Sequence, residues 1–100
     1  MDATRTLLTV ITEAALESLL LRDLDELGAP GYTVSDARGK GSRGRRDATW
    51  APQANIRIEV LCDAATARRI GDTLAARYNT HYPMLMHLAE VTLLGHDAAR

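Results

Sequence analysis

Residues 5–12, RTLLTVIT, are aliphatic or β-branched on both alternating faces, the pattern of a strand with neighbours on either side and so a central position in its sheet. Thr12 is suited to cap a helix after it. Over residues 13–27 the apolar positions Leu16, Leu19, Leu20, Leu24 and Leu27 recur at three- and four-residue spacing, with Glu17, Arg22, Asp23 and Asp25 on other faces, which predicts an amphipathic helix. Gly28 suits the left-handed position after its last turn, and Pro30 stops it from continuing. Residues 32–37 read as a second strand. The next sixteen residues, 39–54, show neither period, and a loop of that length in a small domain is usually functional or disordered. In residues 55–62, NIRIEVLC, Ile56, Ile58 and Val60 alternate with Arg57 and Glu59, a strand with one polar side. Asp63 is a good N-cap for a second helix through residue 78, with Ala67, Ile70, Leu74 and Tyr78 as its apolar stripe and Arg68, Asp72 and Arg77 outward. A short connector, 79–83, leads to a last strand over 84–94, followed by Gly95, His96 and a polar tail.

The order is βαββαβ. This split βαβ pattern predicts an α+β, ferredoxin-like sandwich with two helices on one face of a four-stranded antiparallel sheet, a single domain over residues 1–100. The other sheet face carries Arg57 and Glu59 with apolar residues of the first and last strands. It needs water or another subunit, so a homo-oligomer is expected.

Length and charge narrow the function. One hundred residues at 46% hydrophobic composition make one core and leave little room for an elaborate site within one chain. A net charge of −1 and a pI near 6.3 exclude a whole-protein field that would hold nucleic acid or an anionic membrane. Cys62 is the only cysteine, which rules out an intrachain disulfide and fits a reducing cytosol. The N-terminus has no basic, apolar leader and no window is long enough to span a membrane, so a soluble cytoplasmic protein is expected.

Against that near-neutral background, residues 31–46, GYTVSDARGKGSRGRR, stand out. Arg38, Lys40, Arg43, Arg45 and Arg46 place five of the chain's twelve basic residues in nine positions. Gly39, Gly41 and Gly44 interleave with them, so the backbone there can turn its N–H groups toward a bound anion. A solvated turn is the plain alternative, but so many cations beside only Asp36 and Asp47 repel one another unless an anion joins them. Arginine grips phosphate with two parallel hydrogen bonds, which puts Arg43 and Arg46 ahead of Lys40. The run is not a Walker A loop, because it lacks GxxxxGK[ST] and opens onto no helix.

Rival chemistries are weaker. GSRGRR with Tyr32 and Trp50 hints at nucleic-acid binding, but aromatics are 4% of the chain and the remainder is acidic or neutral, so no nucleic-acid partner is expected. Trp50 is either a partner-binding knob or a residue tucked against its own subunit. His81, His87, His96, Cys62 and Asp97 match no metal-ligand spacing, and a metal-binding oligomer stays an alternative only. Cys62 ends a strand with no histidine nearby in sequence, so no catalytic residue is expected and the protein is read as a non-enzyme.

Gly31-Tyr32-Thr33-Val34 leading into Gly39-Lys40-Gly41-Ser42-Arg43 and Arg46, with the opening Val10-Ile11-Thr12-Glu13 and the terminal Gly95-His96, resembles the PII signalling superfamily over essentially the whole chain. Within it the chain is most similar to PII-like proteins linked to inorganic carbon, the bicarbonate-transporter-associated SbtB type and the carboxysome-associated type. The resemblance implies a trimer whose long T-loop, here residues 39–54, reports which adenine nucleotide occupies clefts between subunits. It implies that Gly41, Ser42, Arg43 and Arg46, with Gly39 and Lys40, hold the phosphates, and that Gly31, Tyr32, Thr33 and Val34 line the cleft. ADP or AMP are the implied regulatory ligands, with ATP, cyclic AMP and bicarbonate as further candidates and no cofactor. A bicarbonate transporter or a carboxysome-associated protein is the implied partner, with recruitment to the membrane through the former. The cysteine-bearing tail of some transporter-associated members is missing, so redox control and nucleotide hydrolysis are not carried over. The loop has no tyrosine for uridylylation, and the 79–83 connector lacks a lysine that would hold a third phosphate, which favours ADP or AMP over ATP.

Overall fold

A computed structural model describes residues 1–39 and 55–95. β1 (Ala3–Glu13) is followed by a single 3-10 turn (Ala14–Leu16), α1 (Glu17–Glu26), β2 (Thr33–Ala37), β3 (Asn55–Cys62), α2 (Ala64–Tyr78) and β4 (Met84–Leu93). All strand pairs are antiparallel in the order β2-β3-β1-β4, with the doubly apolar β1 in the interior as its pattern predicts. The architecture is the ferredoxin-like sandwich.

Alternation divides each strand between two faces. Leu8 and Val10 of β1 and Ile56, Ile58, Val60 and Cys62 of β3 point toward the helices, where they meet Leu16, Leu20 and Leu24 from the first helical segment and Ala67, Ile70 and Leu74 from α2 in one core cluster. Burial of this apolar set is the main force holding sheet to helices. Gly28, at φ +87°, takes the left-handed position that ends α1, and the Arg69 guanidinium donates to the Leu27 carbonyl at 2.9 Å, tying that terminus to α2. Asp63 caps α2, its carboxylate accepting from the Thr66 N–H at 3.2 Å.

Two local expectations are corrected. The first helix does not begin at residue 13 with Thr12 as its cap. β1 runs on through Glu13, because Thr12 stays in register with Ile56 and Met84, and its hydroxyl donates instead to the Pro83 carbonyl at 2.8 Å. The ladder on both sides outcompetes helix initiation, and the α-helix starts only at Glu17 after the 3-10 turn. Asp23, expected on an outward face, is buried, and accepts from Arg77 Nη1 at 2.9 Å and from the Tyr78 hydroxyl at 2.5 Å. These bonds bolt α1 to the last turn of α2.

Among the described residues no helix or strand covers the sheet face turned away from the helices. It presents Leu7 and Ile11 of β1, Arg57, Glu59 and Leu61 of β3, and Leu85, His87 and Ala89 of β4. Leu61 and Leu85 are exposed at 39% and 59% of their surface, an apolar content that argues for a covering subunit.

Candidate functional site

Leu27, Gly28 and Ala29 close α1, and the chain turns through Pro30 and Gly31 into β2. This entry runs beside the open sheet face. Pro30, Gly31, Tyr32 and Thr33 line a groove of about 300 Å³ together with Leu7, Glu59, Leu61 and Leu93. Among the described residues nothing lies within 4 Å of a Cβ placed at Gly31, so ligand or neighbouring backbone can approach it closely. Tyr32 is exposed and supplies a flat apolar face with a hydroxyl at its tip.

Three of the sequence-predicted cleft residues, Gly31, Tyr32 and Thr33, therefore line one groove. Val34 does not. Strand alternation turns its side chain to the helix side, where it pairs with Ile58 and packs against the core, so only its backbone is available to the cleft. Gly39 lies beyond the far end of β2, with nothing among the described residues within 4 Å of a Cβ placed there. Lys40, Gly41, Ser42, Arg43 and Arg46, together with Trp50 and His96, lie outside the described residues. From Thr33 to Gly39 is six residues, a span of about 20 Å at strand rise. One β2 strand thus carries the groove at one end and the root of the basic loop at the other.

Glu59 is the groove residue that sequence reasoning left without a role. Its pairing with Thr33 across the β2–β3 ladder sets its carboxylate into the groove, where Arg57 Nε donates to it at 3.1 Å. Alternation along NIRIEVLC already placed it on the open face, but only the register brings it to Thr33. Its second oxygen remains an acceptor for a ligand donor.

Other candidates separate from this site. Burial, reinforced by the neighbouring Asp63 carboxylate, pushes the Cys62 thiol above its ordinary pKa and keeps it protonated in the core. Among the described residues no three His, Cys, Asp or Glu side chains are grouped to hold a metal ion. No helix among them is long and apolar enough to cross a membrane. A second groove of about 390 Å³ runs between α2 and β4 and contains His87 but none of the candidate nucleotide-binding residues.

The fold and groove define an open-faced βαββαβ domain whose second strand has the groove at one end and leads at the other into the basic segment of the sequence that begins at Gly39. The model of the nitrogen regulatory protein P-II family matches residues 5–97, and the chain belongs to that family of signalling proteins. Among solved structures, a PII-like signalling protein from Thermus thermophilus is similar at 36% identity and a TM-score of 0.76, over 92% of this chain and 91% of that one. CPII, a nitrogen regulatory PII-like protein from Thiomonas intermedia solved with ADP, AMP and bicarbonate, shares the fold at 19% identity and a TM-score of 0.78, over 97% of this chain and 99% of that one. Its apo form aligns at 18% identity and a TM-score of 0.67, over 92% and 96%.

Proposed function

We propose that this chain is a trimeric adenine-nucleotide sensor that binds ADP or AMP in clefts between subunits and converts occupancy into a state of its 39–54 loop. The observation that carries the reading is the groove on the open sheet face, which gathers Gly31, Tyr32 and Thr33 with Glu59, the ladder partner of Thr33. It offers apolar walls for a base and one carboxylate. That carboxylate accepts a hydrogen bond from the exocyclic amine of adenine but faces an acceptor, the carbonyl oxygen, at the corresponding position of guanine. The phosphates then fall to the loop-root cations Arg43 and Arg46 with Gly39, Lys40, Gly41 and Ser42, which come in sequence after the strand's opposite end. A second copy on the open face completes such a cleft, in keeping with the trimers typical of the family.

Occupancy acts by population shift. Phosphate neutralises the crowded guanidiniums, one loop arrangement gains stability over the others, and the partner that fits that arrangement is held or released. The similarity to the Thiomonas protein solved with ADP, AMP and bicarbonate supports inorganic carbon as the regulated process, with a bicarbonate transporter or a carboxysome-associated protein as the partner and the cytoplasm, or the membrane through that transporter, as the place.

The test is isothermal titration of ADP and GDP, with and without bicarbonate, into the wild-type protein, Arg43→Ala and Glu59→Gln. Saturation near one ADP per chain, lost in Arg43→Ala, with adenine preference reduced about tenfold or more in Glu59→Gln, is the expected result. Absence of heat with ADP, AMP, ATP and cyclic AMP alike overturns the reading. Binding of RNA with steep salt dependence would then move the protein to the nucleic-acid class.

A further inference from the structure

Glu59 reaches the groove on a long, flexible side chain, and its neighbours across the sheet do not hold it. Its ladder partners on the open face are Thr33 of β2 and Thr9 of β1. Among the described residues the one donor to its carboxylate is Arg57, whose Nε lies 3.1 Å from Oε2. Arg57 is committed in return. Its own ladder partners, Ser35 and Ile11, carry no charge, and Glu59 is its one ion-pair partner among the described residues.

The pair has a direction. Residues two apart on a strand project to the same face, so the guanidinium approaches Glu59 along β3 from the side away from Leu61. One oxygen is taken and Oε1 is left for the groove, which Glu59 lines together with Thr33 and Leu61. A carboxylate held in this way offers the ligand an acceptor and no donor. With 44% and 35% of the two side chains exposed, water screens the contact in the protomer and its contribution to stability is small. Its larger effect comes when a bound base covers the carboxylate, which then keeps a counter-charge beside it.

We propose that Arg57 is a positioning residue for base selection: by holding Oε2 of Glu59 it turns Oε1 toward the ligand, so that a base edge bearing an amine is accepted and one bearing a carbonyl is refused. This rests on the nucleotide reading above and adds the residue that sets its selectivity. The same clamp has the opposite consequence in Glu59→Gln. Arg57 Nε is a donor, so it takes the amide oxygen and leaves the NH₂ facing the groove, the wrong group for the adenine amine and the right one for the guanine carbonyl. With Arg57 removed as well, the amide can turn round and present its oxygen. Loss of Arg57 therefore lowers adenine preference when position 59 is a carboxylate and raises it when position 59 is an amide. A residue that merely supports the sheet or the assembly shows no such reversal.

The experiment is isothermal titration of ADP and GDP into the wild type, Arg57→Met, Glu59→Gln and the double variant, with far-UV circular dichroism confirming folded protein. The ratio of ADP to GDP affinity is the readout, because a change in assembly or in phosphate grip weakens both nucleotides alike and cancels from it. Arg57→Met should cut the ratio about fivefold or more in the wild-type background and raise it about threefold or more in the Glu59→Gln background. An unchanged ratio in Arg57→Met, or a fall or no change on adding it to Glu59→Gln, overturns the positioning role while the nucleotide reading stands. A wild type that binds neither nucleotide overturns both, and one that binds them equally overturns the selective groove and this role with it. Should Arg57→Met fail to fold, Arg57→Val, β-branched and suited to an interior strand, takes its place in each comparison.

Discussion

Asp23→Asn tests the bolt between the two helices. A carboxylate is acceptor-only, and in the wild type its two oxygens take one donor each, Arg77 Nη1 at 2.9 Å and the Tyr78 hydroxyl at 2.5 Å. An amide of the same shape offers one acceptor and one NH₂, so one of those donors meets another donor. The Asp23 side chain is only 10% exposed, whereas that of Arg77 is 45% exposed, so water screens and replaces much of the ion pair but little of the tyrosine bond. A hydrogen bond to a buried charge is worth about 1.5–3 kcal/mol and the screened pair about 0.5–1 kcal/mol, for a combined loss of about 2–4 kcal/mol. The assay is urea unfolding at one fixed protomer concentration, since assembly contributes to the apparent stability, with an unchanged m value as the sign that the native state is otherwise intact. Paired with Tyr78→Phe, the cycle should show a coupling of about 1–2 kcal/mol. A loss below about 0.5 kcal/mol, or strict additivity with Tyr78→Phe, would refute the reasoning. The same contact has an alkaline signature. Burial, followed by the hydrogen bond to Asp23, raises the Tyr78 phenol above its ordinary 10.0, so its contribution is complete below that value and is lost as pH rises through the higher folded value. Tyr78→Phe should flatten the wild type's decline above about pH 10.

Three further outcomes rest on the fold. Leu20→Ala, at a wholly buried position on α1, should cost about 2–5 kcal/mol in the same urea assay, through lost transfer energy and the cavity left behind. Gly28→Ala should lower stability by about 1 kcal/mol, because φ of +87° is strained for any residue with a Cβ, and thermal melts will show it. Asp63 has a pKa held below 3.8, chiefly by the Thr66 hydroxyl, so its capping contribution is present above that value and disappears as pH falls through the lower folded value. Asp63→Ala should lower the wild-type melting temperature at pH 7 and show a shallower decline toward acid.

What the chain disclosed in advance is what local periodicity controls. Ile56, Ile58 and Val60 against Arg57 and Glu59 encode a half-buried strand whatever surrounds it, and the apolar character of RTLLTVIT on both faces needs flanking strands. Leu16, Leu20 and Leu24 encode the buried helix stripe, while Leu19 in the same pattern is exposed. The missed features depend on partners remote in sequence. Thr12 is a plausible cap until Pro83 arrives across 71 residues to take its hydroxyl. Asp23 reads as a surface carboxylate until Tyr78, 55 residues on, covers it. Glu59 joins Gly31 and Thr33 only through the β2–β3 register, and strands linked by a long loop carry no pattern that sets their register. Val34, by contrast, was readable: alternation from Thr33 already turned it inward.

The placement of groove and loop root at opposite ends of β2 has a genetic corollary. If every cleft takes its base pocket from one subunit and its phosphate grip from another, a chain crippled in the groove and a chain crippled in the loop are not equivalent losses. Homotrimers of either are blind. A mixed trimer regains a working cleft wherever an intact groove faces an intact loop, so two null alleles expressed together restore part of the response. Such a shared cleft would also expose the trimer to poisoning: a doubly defective subunit would spoil two clefts instead of one, and a large minority of such chains would silence most clefts.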